Sequence, residues 1–229
     1  MTPHGFWIGP ARSEDTKAIH DLVFQKPDQF IRGISLETLR SRIEAGVCWV
    51  VRRDNRGGEI KAACLITVPE TSPGTPPEPA EFGGLYVHEE LRGSGLGTSL
   101  ATFALASYFW DNDPESSTPL PLIAHVHVDN EKPRRILGKL QFVQKSGVIE
   151  VPDDVEGFAH MPRNADGKVE GHEFEYPAVK RPDLFRWTAT VLERRTLPIG
   201  EPVEFDCPVG MTAEELRQLA AALDGVSGE

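Results

Sequence analysis

The feature that most constrains this 229-residue chain is a glycine-rich junction between a predicted strand and a predicted helix. Residues 92–97 read Arg-Gly-Ser-Gly-Leu-Gly. They follow an apolar stretch at residues 81–87 and precede apolar residues at helical spacing, beginning with Leu96 and Leu100. Glycine lets the backbone turn tightly, and a helix N-terminus presents unpaired N–H groups at the positive end of its dipole. The junction therefore suits a bound phosphate or diphosphate group.

The spacing of the glycines excludes two common phosphate-binding loops. A Walker A loop ends in Gly-Lys-Ser/Thr, which residues 92–97 lack. The junction also differs from a dinucleotide fingerprint, because it follows the fourth predicted strand and its glycines are not spaced as G-x-G-x-x-G. A tight turn without any ligand is still an alternative at this point, because a glycine cluster alone does not require one.

The remaining sequence predicts a chain of strands and helices. Strands are expected at residues 6–11, 47–52, 60–68, 81–87, 122–128, 142–151 and 172–179. Helices are expected to begin near Ser13, Ser35, Leu96 and Glu131, and a capping box at Thr212 begins another. Residues 185–192 fit either a strand or a helix. The five prolines between residues 69 and 80 predict an extended loop.

Charge and composition narrow the classes of function. The formal net charge is -11, from 24 basic and 35 acidic side chains, so the surface repels nucleic acid and attracts cations. Three cysteines without zinc-ligand spacing give no sign of a disulfide framework or a structural zinc site. No signal peptide and no apolar run of ~18 residues is visible, which predicts a cytoplasmic protein without a membrane partner.

Two motifs make the chain similar to the GNAT superfamily of N-acetyltransferases. The first is the apolar strand at residues 82–87 followed by Arg-x-x-Gly-x-Gly, here Arg92 to Gly97. The second, which is looser, is Asn130 after the next strand and a helix that ends in Leu-Gly-Lys-Leu-Gln-Phe at residues 137–142. The order of elements resembles the family plan over residues 6–179, about three quarters of the chain.

The resemblance implies an α/β (α+β) fold with a mixed, mostly antiparallel central sheet flanked by helices. It divides the chain into a GNAT acyl-CoA transferase domain at residues 1–179 and a C-terminal extension at residues 180–229. Three roles are open for the extension, which could extend the sheet, cover the acceptor cleft or form a homodimer contact.

The resemblance also implies acetyl-CoA, or another acyl-CoA, as co-substrate. The i, i+2 spacing of His125 and His127 could suit a metal, but no third ligand is evident, so no metal is expected. Backbone amides of residues 93–98 are then expected to hold the pyrophosphate, with Arg92 beside it. The strand edge at residues 85–87 would bind the pantetheine arm, Asn130 would help to fix that arm, and the thioester would lie near Tyr86 and Val87. The implied cofactor-binding residues are Leu85, Tyr86, Val87, Arg92, Gly93, Ser94, Gly95, Leu96, Gly97, Thr98 and Asn130.

Direct acyl transfer needs a base for the acceptor ammonium and an acid for the departing thiolate. The resemblance places the base at Glu81, six residues before Val87, and the usual acid, a tyrosine, at the position of Leu137. His125 and His127 alternate with apolar residues, so both point to one face of a strand, and histidine titrates near neutral pH. They are candidate catalytic groups. The alternatives are a solvated carboxylate for Glu81 and packed strand residues for the histidines.

The predicted activity is acyl-CoA-dependent N-acyltransfer, with acetyl as the expected group and a primary amine as the acceptor, either a small molecule or a peptide. A cationic acceptor is expected because the loop at residues 152–171 carries Asp153, Asp154 and Glu156. Two alternatives stay open. One is a non-catalytic acyl-CoA-binding sensor or interaction module on the same scaffold, supported by the missing tyrosine, and the other is an unrelated nucleotide-binding domain.

Overall fold

The computed structural model describes residues 5–24, 30–69, 78–112, 116, 120–151, 157–198 and 200–226. These residues form a nine-stranded sheet with helices on both faces. The sheet is mixed and mostly antiparallel, so the predicted fold class is confirmed. Among the described residues, no helix combines the length and the apolar character needed to cross a bilayer.

The strands are β1 (Phe6–Pro10), β2 (Cys48–Arg53), β3 (Ile60–Thr67), β4 (Ala80–Val87), β5 (Leu122–His127), β6 (Val143–Gln144), β7 (Ile149–Val151), β8 (Val169–Glu175) and β9 (Val203–Phe205). The α-helices are α1 (Thr16–Val23), α2 (Leu36–Glu44), α3 (Leu96–Asp111), α4 (Glu131–Lys139), α5 (Arg181–Arg194) and α6 (Ala213–Val226). Short 3-10 helices occupy Ser13–Asp15, Glu89–Leu91 and Ala178–Lys180.

The strand order is β6-β8-β5-β4-β3-β2-β1-β9, and β7 also pairs with β8. Two neighbouring pairs are parallel, β4 with β5 and β1 with β9. The pairing of β4 with β5 covers only two positions, Ala80 opposite Leu122 and Glu81 opposite Ile123. From there to Val87 the two strands are not paired, so a wedge opens between them toward the end of β4.

The two faces of the sheet have separate apolar cores. Helix α3 lies in the larger core, where most of its side chains are buried, including Leu100 and Phe103. A helix that is apolar on nearly all sides needs neighbours on all sides, and here the sheet and α5 supply them. Helices α1 and α2 cover the other face, where Ile19 and Leu39 are fully buried.

The C-terminal extension adds a strand and two helices to the same structure. Strand β9 runs parallel to β1, with Val203 opposite Phe6, so the extension lengthens the sheet. Phe185 of α5 and Leu216 of α6 are buried in the same core as Phe103. Residues 185–192 are helical, and their buried side chains follow a helical period. The boundary at residue 180 stays a prediction drawn from the sequence.

Two strands differ from their predicted bounds by more than one residue at an end. The strand expected at residues 142–151 is two short strands, β6 and β7, because the chain turns between them at Gly147, whose φ is +98°. The strand expected at residues 172–179 is β8, which begins at Val169 and ends at Glu175. Pro177, which lacks an N–H for a sheet hydrogen bond, follows it and precedes a 3-10 helix. Most of the proline-rich segment, residues 70–77, lies outside the described residues.

A β-bulge bends β4 before the wedge. Ala63 of β3 lies opposite Tyr86 and Leu65 lies opposite Gly83, so two residues of β4, Gly84 and Leu85, occupy the place of one. Gly84 has a φ of +59°, and a Cβ atom there would overlap the Leu65 side chain. A bulge increases strand twist and redirects the strand. This bulge precedes the end of β4, which stays paired with β3 but is unpaired on the side of β5.

Replacing Gly84 with alanine is expected to lower the free energy of unfolding by about 1–3 kcal/mol, because the new Cβ is strained at positive φ and meets Leu65. The matched control is Gly83→Ala, since Gly83 has open space around its Cα and its φ is not positive. Urea unfolding followed by circular dichroism measures both. Equal stability of the two variants would contradict the assignment of the bulge to Gly84.

Candidate active site

The junction before α3 leaves backbone donors at the helix N-terminus. Gly95 is the N-cap residue, with a φ of +85°, and Gly93 has a φ of +83°, both in the left-handed region that favours glycine. An N-cap glycine has no side chain to accept hydrogen bonds from the first turn. Ser94 Oγ accepts from the Leu96 N–H at 3.3 Å, and the N–H groups of Gly97 and Thr98 have no acceptor within the helix. The junction therefore offers donors for an anion.

Gly97 lets α3 begin directly against the end of β4. A Cβ atom at Gly97 would lie 2.9 Å from Val87 Cγ2, closer than real Cβ contacts. Glycine at this position brings the first turn of α3 beside the unpaired end of β4. As a result, the loop amides and the wedge form one continuous surface.

Arg92 joins the loop to the end of β4. Its Nε donates to the Val87 carbonyl oxygen at 3.1 Å, and its guanidinium carbon lies 5.7 Å from the centre of the Tyr86 ring. The side chains of Leu85 and Val87 pack toward the α3 face, whereas Tyr86 packs toward the α1–α2 face. Arg92 thus places a positive charge where the strand edge meets the loop.

Asn130 is the N-cap residue of α4, directly after β5. Its N–H donates to the His127 carbonyl oxygen at 3.0 Å, and its side chain makes no capping hydrogen bond. The side-chain amide of this partly buried residue thus does not cap α4.

The position of the family's usual acid is occupied by a core residue. Leu137 is buried beside Phe142 in the larger core. Tyr176, on the same face, is also buried, and its hydroxyl donates to the Lys180 carbonyl oxygen at 3.1 Å. Burial raises the pKa of Tyr176 well above its usual value. Leu137 has no proton to donate, and the Tyr176 hydroxyl is engaged by the Lys180 carbonyl oxygen.

Glu81, His125 and Glu173 form a row across three adjacent strands. Glu81 Oε1 lies 2.9 Å from His125 Nδ1, and Glu173 Oε2 lies 3.4 Å from His125 Nε2. His125 and Glu173 are direct partners in the pairing of β5 with β8. All three side chains are about one-third exposed, on the face that carries α1 and α2. Glu173 was not among the residues predicted from the sequence.

The row sets the ionisation of its members. The hydrogen bond that Glu81 accepts from His125 is the main cause that raises the pKa of His125, with burial acting in the opposite direction and Glu173 adding to the rise. For Glu81, burial is the largest single effect and favours the protonated acid. His125, Arg32 and Arg42 together outweigh it, so the pKa of Glu81 lies below its usual value. Glu81 is therefore ionised at neutral pH.

His127 lies on the same face as His125 but is held by other groups. Its Nδ1 accepts from the Asp129 N–H at 3.1 Å, and its Nε2 lies 3.0 Å from the Pro162 carbonyl oxygen. Nε2 must be the donor there, which makes the ring neutral. The ring packs 5.0 Å from that of Phe30. With both nitrogens engaged by backbone, His127 anchors the segment at residue 162 to β5.

Two segments meet over this face of the sheet. The Gly33 N–H donates to the Gly157 carbonyl oxygen at 2.9 Å, and His160 Nε2 lies 2.9 Å from the Ile31 carbonyl oxygen. The Arg32 guanidinium lies 5.2 Å from the centre of the Phe158 ring. The resemblance implies that the helices at residues 14–45 and the loop at residues 152–171 form the wall of the acceptor site, and this acceptor wall is partly described. Its expected acids, Asp153, Asp154 and Glu156, lie outside the described residues.

No group of three or more His, Cys, Asp or Glu side chains in the described part of the chain is arranged to hold a metal ion.

Comparison with known proteins bears on this geometry. The sequence model of the acetyltransferase (GNAT) family matches residues 15–113, which run from the start of α1 to the end of α3. The resemblance to the GNAT superfamily is therefore confirmed. No curated protein matches the chain.

Solved GNAT structures share the fold at low sequence identity. The NatC complex bound to Gag peptide and CoA aligns with a TM-score of 0.54 and 10% identity, over 76% of this chain and 98% of that chain. The yncA acetyltransferase from Salmonella typhimurium, with acetyl-CoA, aligns with a TM-score of 0.53 and 16% identity, over 76% of this chain and 94% of that chain. The ribosomal-protein-S18-alanine N-acetyltransferase from Escherichia coli aligns with a TM-score of 0.52 and 15% identity, over 76% of this chain and 94% of that chain.

The ion pair in the row predicts a pH-dependent stability. The contribution of His125 to the free energy of unfolding is complete below pH 6.5, and it is lost as the pH rises through the elevated pKa of His125 in the folded protein. The contribution of Glu81 is present above pH 4.5 and is lost as pH falls through its lowered folded pKa. Glu81→Gln should therefore lower the free energy of unfolding more at pH 6 than at pH 9. Exposure to solvent limits the difference to less than about 1 kcal/mol.

Urea unfolding at the two pH values measures this difference. Glu193→Gln is the control, because the partner of Glu193 is Arg217, at 2.5 Å, and arginine keeps its charge at both pH values. Glu193→Gln should lower the free energy of unfolding by the same amount at pH 6 and at pH 9. If Glu81→Gln lowered the free energy of unfolding equally at pH 6 and pH 9, or more at pH 9, the result would contradict the ion pair.

Proposed function

We propose that this chain transfers an acetyl or other short acyl group from acyl-CoA to a primary amine, directly and without an acyl-enzyme intermediate. The observation that carries the proposal is the junction of Gly93, Gly95 and Gly97 at the N-terminus of α3, which adjoins the part of β4 that is no longer paired with β5. The match to the acetyltransferase family supports acyl transfer in general.

The CoA moiety would lie along the loop and the wedge. Among the amides of residues 93–98, those of Gly97 and Thr98 suit the pyrophosphate best, because they have no acceptor within the helix and lie at the positive end of α3. The Ser94 and Leu96 N–H groups donate to the Leu91 carbonyl oxygen and to Ser94 Oγ, both at 3.3 Å. Arg92 adds a positive charge beside them. The unpaired edge at residues 85–87 can bind the amide groups of pantetheine as a neighbouring strand would, and the Asn130 side chain is available to hold the same arm. The solved structures of NatC and yncA contain CoA and acetyl-CoA, respectively.

In this arrangement the thioester carbonyl would lie near Tyr86 and Val87, at the open end of the wedge. A backbone N–H of the unpaired strand could polarise the carbonyl there. The amine nitrogen would attack the carbonyl carbon, the carbon–sulfur bond would break, and CoA would leave as a thiolate. The proton of the ammonium would pass to Glu81, directly or through water, because Glu81 is ionised.

The acceptor would enter over the face that carries Glu81 and His125. The described wall carries charges of both signs, since Arg32 and Arg42 act on Glu81 from that side. The proposal of a cationic acceptor rests on the net charge of -11 and on Asp153, Asp154 and Glu156. A peptide acceptor is compatible with the Gag peptide named for the NatC structure.

A non-catalytic acyl-CoA-binding module is the second candidate, and the buried Leu137 at the usual acid position favours it. Release of free CoA thiol separates the two. Acetyl-CoA would be incubated with the protein and a panel comprising a polyamine, an aminosugar and a lysine-containing peptide. Amine-dependent thiol release supports the transferase, and tight acetyl-CoA binding without release supports the binding module.

Glu81→Gln is expected to lower kcat by about 10²–10⁴-fold, because the amide cannot accept the ammonium proton. The dissociation constant for acetyl-CoA should not change, since Glu81 lies at the paired start of β4, away from the loop. Thiol release and isothermal titration calorimetry measure the two quantities. A kcat within twofold of the wild type would remove Glu81 from the mechanism.

Thr98→Glu is expected to weaken acetyl-CoA binding about tenfold or more, because the new carboxylate lies in the first turn of α3 and repels the diphosphate. An acidic residue in a first turn favours the helix dipole, so the fold should not lose stability. The control is Thr98→Gln, which has the same size without the charge. Equal calorimetric affinities for the two variants would contradict diphosphate binding at this loop.

A further inference from the structure

His125 is held at both ring nitrogens by carboxylates from neighbouring strands. Glu81 of β4 lies 2.9 Å from Nδ1, and Glu173 of β8 lies 3.4 Å from Nε2. The strand pairing fixes this order, because His125 lies directly opposite Glu173. Glu175, two residues further along the same strand, pairs instead with Lys145. Glu173 is therefore the carboxylate of β8 that faces the imidazole.

We propose that Glu173 is a positioning residue that orients His125 and receives its proton, so that Glu81, His125 and Glu173 form a proton relay from the acceptor to solvent. The inference rests on the proposed function, since it concerns the proton that Glu81 removes from the acceptor ammonium. It assigns to Glu173 a role that neither the sequence motifs nor the resemblance supplied.

In each transfer His125 takes up one proton at Nδ1 and releases one proton from Nε2. Once Glu81 has taken up the ammonium proton, neutral His125 with its proton on Nε2, facing Glu173, presents the lone pair of Nδ1 to protonated Glu81. When protonated Glu81 gives its proton to Nδ1, Nε2 gives its own to Glu173, and the imidazole ends as the other neutral tautomer. Glu173, about one-third exposed, then loses the proton to water. Because the imidazole is itself about one-third exposed, exchange with water removes the Nδ1 proton and returns one to Nε2, which restores the starting tautomer before the next turnover.

The charged groups around the imidazole give the relay a definite pH dependence. The carboxylates of Glu81 and Glu173 both favour the imidazolium, and burial opposes them. Arg32 and Arg42 act on Glu81 from the α2 side of the face. The imidazolium has no lone pair on Nδ1 and cannot accept a proton from Glu81. The rate should therefore rise with pH through the pKa of His125.

The test compares the wild type with Glu173→Gln and with Glu175→Gln as the matched control, a change of the same kind on the same strand. The pKa of the His125 imidazole is measured by NMR titration of its ring protons, which needs neither acetyl-CoA nor an acceptor. The pH profile of kcat for thiol release is measured with acetyl-CoA and the amine panel described above.

For Glu173→Gln we expect a lower His125 pKa, an acid limb of the kcat profile displaced to lower pH, and a plateau kcat about tenfold below that of the wild type. The KM for acetyl-CoA should stay the same. Glu175→Gln should match the wild type in every quantity. Glutamine keeps the shape of glutamate, and the NMR spectrum reports directly whether the variant is folded.

The outcomes separate the relay from the proposed function. An unchanged His125 pKa in Glu173→Gln would overturn the contact on which the relay depends. A lower pKa with an unchanged plateau and acid limb would overturn the relay while leaving acyl transfer intact. Absence of thiol release by the wild-type protein with every amine would overturn the proposed function and the relay together.

Discussion

The separation of β4 from β5 after two residue pairs is the constraint on which the rest of the site depends. A strand edge without a neighbour leaves backbone groups that need partners. The bulge at Gly84 redirects β4 before that edge, and Gly97 allows α3 to begin against Val87. The same separation therefore creates a strand edge and places the helix N-terminus beside it. A ligand with an amide-containing arm and a diphosphate would satisfy both features.

His125 and His127 show that the groups around a histidine determine whether its side chain can take part in proton transfer. Both lie on one face of β5, two residues apart. His127 is buried with its nitrogens on the Asp129 N–H and the Pro162 carbonyl oxygen, which fix one neutral tautomer. His125 faces two carboxylates, which raise its pKa and leave it able to exchange protons. We therefore propose acid–base chemistry for His125, whereas His127 holds the segment at residue 162 against β5.

Features that depend on local interactions could be predicted from the sequence. The N-cap at Ser35 and the capping residue Thr212 begin α2 and α6 as expected, with hydrogen bonds from the Thr38 N–H and the Glu215 N–H. The glycine junction was predictable for the same reason. Glu173 was not, because its role depends on the register of β8 against β5, between residues 48 positions apart in the sequence. The helical state of residues 185–192 likewise follows from packing against α3 and α6.

A two-dimensional ¹H–¹⁵N NMR titration with acetyl-CoA tests most directly whether main-chain amides at the start of α3 hold the ligand. The account predicts that the largest resonance shifts occur at residues 93–98 and along the strand edge at residues 85–87. The amides of α6, at Ala213–Val226, should shift little. Saturating ligand that leaves the resonances of residues 93–98 unchanged, or that shifts only residues elsewhere, would contradict the account.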